Sequence, residues 1–210
     1  MIGKALIVGG GVGGMSAALS LARRGVEVHL VVSPLGQRLL HDELGMEGID
    51  LAALSGGAGG AGGAGGEDPR ITLHHYRDVG APIASGSFHH DGMIVCPCSN
   101  NSLAAIAHGL SENLLHRAAN VTLKERRPLI LAHREMPLGL IEIRNMEQIA
   151  LAGGILAPTN PGFYMLPRGI EDLVDFVVGK LLDLVKVEHD LKTRWVDSAA
   201  NWKAKRHESS

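Results

Sequence analysis

Very little in this chain is aromatic, thiol-bearing or charged with one sign: Phe, Trp and Tyr make up 3% of its 210 residues, cysteine occurs twice, and the formal net charge is −2. Without a long Lys/Arg run, nothing in this balance points to nucleic acid or an anionic membrane as partner. No apolar segment reaches the roughly 18 residues that a membrane span needs, and the N-terminus has no positive region leading into an apolar run and a cleavage site, so a cytoplasmic protein is expected. Cys96 and Cys98 have no second pair to complete a zinc set. As i and i+2 on a strand they should face the same way, as small buried residues.

Glycine, by contrast, is abundant, with 28 residues. The stretch "SGGAGGAGGAGGEDP", residues 55–69, has almost no side chain to bury and reads as a mobile surface loop. Around it, short apolar runs alternate with helical patterns. "KALIVG", "VEVHLVV", "DGMIVCP", "RPLILA" and "GGILAP" read as strands, and residues 15–24, 101–118, 138–152 and 170–185 carry apolar positions at helical spacing. Such alternation predicts an α/β fold, a doubly wound, Rossmann-like parallel sheet with helices on both faces. One domain is expected over residues 1–186, followed by a polar tail, 187–210.

The first strand leads into Gly9, Gly11 and Gly14, spaced G-x-G-x-x-G ahead of a helix. Glycines there let a phosphate or a flat ring approach the backbone at a helix N-terminus, outside the carboxyl ends of the strands. A dinucleotide site also requires an acidic residue at the end of the second strand, about 20 residues on. That position holds "HLVVS", and Glu27 lies at the strand's opposite end. The glycines therefore favour a nucleotide-type ligand without specifying FAD or NAD.

Two further segments concentrate polar groups at strand ends. After "MIVCPC", Ser99 is placed to cap the following helix, so that Ser99, Asn100, Asn101 and Ser102 offer hydroxyls, amides and free N–H groups to an anion. In "LKERRPLILAHREMPL", Arg134 and Glu135 follow a buried-looking strand at the ligand-binding edge, whereas Lys124 precedes that strand and needs a neighbouring loop or subunit to reach any site. The adjacent pairs His74–His75 and His89–His90 send at most one imidazole to each face of a strand, which argues against a metal site.

The motifs "SGSF", "CPCS", "LKERRPL", "REMPL" and "PGFY", between residues 85 and 164, together resemble the UbiX-type flavin prenyltransferases, a resemblance that covers about residues 27–195 apart from the glycine linker. The resemblance implies a single flavoprotein domain that joins a dimethylallyl group to N5 and C6 of reduced FMN. The product, prenylated FMN, would serve UbiD-type decarboxylases. By that resemblance FMN is held by Gly11, Val12 and Gly13 of the first loop, by Ser33, by Ser99, Asn100, Asn101 and Ser102, and by Arg117 and Arg134. Dimethylallyl phosphate is gripped by Lys124, Arg134, Tyr164 and Lys180, while Glu43, Glu135 and Lys124 are the catalytic candidates. Homo-oligomers, typically dodecamers with sites at subunit junctions, are implied as well. Fixed cations suit a departing phosphate in a water-poor site, and the lack of a D-D-x-x-D motif fits a metal-independent reaction on a monophosphate.

This chain departs from the family pattern in three places. Its first loop reads Gly9-Gly10-Gly11-Val12-Gly13-Gly14 where the family has G-x-S-G-A-S-G, so no hydroxyl stands in the loop. Lys180 occupies a common arginine position, keeping the charge but losing the bidentate fork. Pro34 replaces a lysine after Ser33. The loop leaves two alternatives open: a non-catalytic flavin-binding or delivery partner of a decarboxylase, and an FAD-dependent oxidoreductase.

Overall fold

A computed structural model describes residues 3–8, 12–45, 70–191 and 193. The loop Gly9–Gly11, the glycine run at 55–69, most of the tail, and the side chains of Val12 and Glu43 lie outside the described residues. In chain order the elements are β1 Lys4–Val8, α1 Val12–Arg23, β2 Glu27–Val31, α2 Pro34–Leu44, β3 Ile71–His74, β4 Gly92–Cys98, α3 Asn100–Ala107, α4 Leu114–Lys124, β5 Leu129–His133, α5 Leu140–Leu151, β6 Ile155–Leu156 and α6 Ile170–Leu184. Short 3-10 turns occupy Pro82–Ala84 and Phe163–Met165.

Among the described residues the strands form one parallel sheet in the order β3-β2-β1-β4-β5-β6. This is the expected doubly wound architecture, with β3 as an additional strand. Its four residues, ITLH, lie at the sheet edge with Thr72 and Leu73 exposed, so no continuous apolar run marks them in the sequence. The helix expected over 101–118 is two helices. Gly109 adopts φ +70° between them, and Asn113 caps the second by accepting from the His116 N–H at 3.0 Å. The next helix starts at Leu140 rather than at 138, because Glu142 reaches back to accept from the Gly139 N–H at 2.9 Å.

Alternate strand residues supply two core layers. Val28, Leu30, Ile94, Cys96 and Ile130 pack under α1, α2 and α6, and Val31, Met93, Val95, Leu129 and Leu131 pack under α3, α4 and α5. Each fully buried Leu or Ile contributes about 1.5–3 kcal/mol relative to exposure. Cys96 and Cys98 do not share a face as expected: a register shift between Val95 and Cys98 turns Cys98 into the second layer. Burial pushes both thiols up to about 12. The chain also stays packed beyond residue 186, with Val187 and Thr193 buried and Asp190 bonded to Arg24 at 2.8 Å.

On the β1–β2–β3 half of the sheet, the connection 75–91 takes the place of a crossover helix. Beneath it runs a polar chain: Lys4 Nζ lies 3.1 Å from Glu27 Oε1, which is 2.9 Å from His29 Nε2, and His29 Nδ1 is 2.8 Å from His74 Nε2. The Phe88 ring stands edge-on to His29 at 4.8 Å and lies under Lys4 Nζ at 4.7 Å. Of the two histidine pairs, His74 and His90 turn inward while His75 and His89 are exposed. His90 bonds the Gly92 carbonyl at 3.2 Å and lies 3.3 Å from Thr122 Oγ1.

Candidate functional site

Because every strand runs the same way, all carboxyl ends open on one edge, and the strand order reverses between β1 and β4. A ligand crevice lies outside the sheet at such a point. Two loops of known geometry border it, one after β4 and one after β5.

After β4, Ser99 is extended (φ −77°, ψ 160°) and accepts from the Ser102 N–H at 3.2 Å, so it caps α3 as expected. Its hydroxyl also lies 3.2 Å from Ser102 Oγ. Asn101 is exposed on the first turn, where the free N–H groups of the helix start face outward. Asn100 differs from its neighbours, for its side-chain amide is engaged within the protein: Nδ2 donates to Glu135 Oε2 at 2.7 Å, and Oδ1 lies 2.7 Å from His133 Nε2.

After β5, Arg134 and Glu135 are exposed at the crevice, while His133, the last strand residue, is 3% exposed. Burial lowers the His133 imidazole, against the opposing influence of Glu135 and Glu142. On the β2 side, Ser33 is half-buried and caps α2 by accepting from the Gly36 N–H at 3.1 Å. Gly13 at the start of α1 faces β4, where a Cβ would stand 3.4 Å from Cys96 Sγ, an ordinary packing distance. Arg117 is exposed in the first turn of α4, whose Leu114 N–H bonds the Tyr76 carbonyl just past β3.

Beyond β6 the chain follows β5, with the Thr159 N–H bonded to the His133 carbonyl at 3.1 Å, and then reaches the turn that holds Tyr164. The Tyr164 ring meets Phe176 edge-on at 5.9 Å, and Lys180 Nζ lies 6.0 Å from the same ring. Gly162 is required here, because a Cβ would stand 2.7 Å from Phe176. Phe176 thus brings Tyr164 and Lys180 into one row. Sequence reasoning missed both Phe176 and His133; Phe176 is one helical turn before Lys180, and His133 directly precedes Arg134 and Glu135.

Lys124 stands apart from these residues. It ends α4 at the amino edge of β5, 69% exposed and 3.2 Å from Glu125, on the side of the sheet away from the crevice. Nearby, Arg127 clamps the "SGSF" loop, donating to the carbonyls of Phe88 and Gly86 at 2.7 Å each. Two motifs with no contact in sequence are therefore one structural unit.

The geometry is that of an anion-accepting crevice at the carboxyl edge of a parallel sheet, with a helix N-terminus and hydroxyls after β4 and a cation after β5. The family model described as Flavoprotein matches residues 12–182. The flavin prenyltransferase UbiX of Halalkalibacterium halodurans is 40% identical over 188 residues, covering 90% of this chain and 89% of that one. A crystal structure of AnUbiX (PadA1) in complex with FMN and dimethylallyl pyrophosphate superposes with a TM-score of 0.81 at 36% identity, over 93% of this chain and 98% of that one. A dodecameric FMN-dependent UbiX-like decarboxylase from Escherichia coli gives 0.77 at 36% identity, over 91% and 98%. The chain belongs to the flavin prenyltransferase family. Among the described residues, no helix is long and apolar enough to cross a membrane.

Proposed function

We propose that this protein is a flavin prenyltransferase that joins the dimethylallyl group of dimethylallyl phosphate to N5 and C6 of reduced FMN. The observation that carries the reading is the grouping of Ser99, Asn101 and Ser102 after β4 with Arg134 and Glu135 after β5 at the carboxyl edge of the sheet, tied by the Asn100–Glu135 bond, together with the Tyr164–Phe176–Lys180 row in the segments after β6. Such a donor set suits an anionic, flat ligand. Reduced flavin supplies the electron-rich N5 and C6 positions. Forming the two bonds to carbon breaks one C–O bond; of the two protons displaced, one ends on a prenyl carbon and one on phosphate.

In this reading the start of α3, Ser99, Asn101 and Ser102 hold the FMN phosphate by N–H and hydroxyl donation, and Arg134 adds positive charge. Ser33, Gly13 and Arg117 border the flavin, with Gly11 and Val12 completing the first loop. Arg134, Tyr164 and Lys180 grip the prenyl phosphate, stabilising the charge that develops as it leaves. Glu135 handles a proton at the flavin edge, with Glu43 as the second candidate carboxylate. Asn100 acts on Glu135 rather than on the ligand.

Lys124 reaches a site only in a neighbouring subunit. An assembly of copies is supported by the exposed apolar residues beside the crevice: Met136 is 89% exposed, Ile141 73% and Ile170 78%. Covering them would exclude water from the reaction. We further propose a cytoplasmic protein that hands its product to a UbiD-type decarboxylase, with one catalytic domain over residues 1–186 against which Val187 and Thr193 continue to pack. The delivery-partner and FAD-oxidoreductase alternatives draw no support from the relatives, which are prenyltransferases.

Anaerobic incubation with reduced FMN and dimethylallyl phosphate tests the function. The released flavin should gain the mass of one five-carbon prenyl unit; unmodified FMN alone would overturn the assignment.

A further inference from the structure

Three side chains at the ends of β4 and β5 form a chain whose direction is fixed by what each atom can do. The Glu135 carboxylate only accepts, so the Asn100 group 2.7 Å from it is the NH2. That orientation presents the Asn100 carbonyl to His133 Nε2 at 2.7 Å, and a carbonyl also only accepts. His133 must therefore carry its proton on Nε2. Turning the amide over would set an NH2 against an N–H and a carbonyl against a carboxylate, two unfavourable contacts in place of two hydrogen bonds.

The setting makes this arrangement rigid. His133 is held on both sides by the sheet, at the position paired with Cys98, and is 3% exposed. Asn100 is the first residue of α3, pinned by the Ser99 cap. Glu135, by contrast, is exposed at the crevice, and among the described residues its carboxylate takes this amide at 2.7 Å and, on its second oxygen, the N–H of the adjacent Met136 at 3.2 Å.

We infer that His133 is a positioning residue: through the Asn100 amide, its Nε2–H holds the Glu135 carboxylate in one orientation and as a proton acceptor facing the crevice. The inference rests on the proposed role of Glu135 in proton handling. His133 itself touches neither substrate, and its effect should fall on the rate of the reaction rather than on binding.

The test uses the full-length protein with His133→Val, which removes the donor, His133→Gln, which retains an N–H near the Nε2 position, and Glu135→Gln. H133V should lower kcat about tenfold with KM for both substrates changed less than about twofold, and H133Q should stay within about twofold of the native kcat. In the ligand-free protein, nitrogen-15 spectra of labelled histidine should show the Nε2–H tautomer for the resonance that H133V deletes. An Nδ1–H tautomer, a native kcat in H133V, or an H133Q as slow as H133V would each overturn the inference. A native rate in E135Q would overturn the assignment of Glu135 and the inference with it. An inactive E135Q beside a fully active H133V would overturn the inference alone.

Discussion

Among the described residues, two polar chains of similar make-up each link a carboxylate through a third side chain or directly to a buried histidine, and they lie on opposite halves of the sheet. Glu27–His29–His74 runs beneath the connection 75–91, and its carboxylate ends in an ion pair with Lys4 at the amino edge of β1 and β2. His133–Asn100–Glu135 ends at the carboxyl edge, beside the point where the strand order reverses. In the first chain the carboxylate is neutralised within the protein. In the second the carboxylate is fixed by a neutral amide, which leaves its charge available to the crevice. On the proposed function the same residue types serve packing in one place and chemistry in the other, and strand polarity separates the two.

The largest effect that would break this comparison is on turnover. E135Q should lower kcat by about a hundredfold to ten-thousandfold, in the range of a lost general acid–base, while E27Q should leave it within about threefold. Anaerobic single-turnover assays of both variants give the contrast, and equal losses would mean that the two chains are not functionally distinct.

Acid should act mainly on the buried histidines of the first half. Burial pushes His90 down to about 4 from the ordinary 6.5, and also lowers His29 and His74. Between pH 6.5 and about 4 the unfolded chain binds more protons than the native one, so stability falls on acidification. His90 accounts for as much as about 3 kcal/mol of that loss. Denaturant midpoints measured across this window in native protein and H90Q should converge as the pH drops, and parallel curves would contradict the assignment.

A smaller effect is expected from H29L, which leaves Glu27 and His74 without their shared partner. Destabilisation of about 1–3 kcal/mol with kcat unchanged is the expected outcome, read by denaturation and by turnover under saturating substrate. The smallest effect concerns the substrate row: K180A should raise KM for the prenyl phosphate about tenfold at unchanged FMN affinity, and K180R should match or improve on the native value.

Much of this architecture was legible in the sequence because parallel central strands are buried on both faces. The runs of β2, β4 and β5 stood out for that reason, β1 and the edge strand β6 were marked by the short runs "KALIVG" and "GGILAP", and the Ser99 cap followed from its place between β4 and an apolar helix. β3 escaped because an edge strand needs no continuous apolar run. The Cys96/Cys98 parity failed because one register shift reverses every later side chain. At the candidate site, the motifs pointed to Arg134, Glu135, Tyr164 and Lys180 as candidates, but not to the contacts these side chains make. Asn100 was expected to offer its amide to an anion. Its engagement by His133 and Glu135 depends on two loops 33 residues apart, which no local pattern encodes.

The most direct measurement is an anaerobic single turnover of native protein, E135Q and E27Q, each loaded with reduced FMN and dimethylallyl phosphate and analysed by flavin mass. The account predicts prenylated flavin at closely similar rates in native protein and E27Q, and little or none in E135Q on the same timescale. Prenylated flavin appearing in E135Q as fast as in E27Q would contradict it.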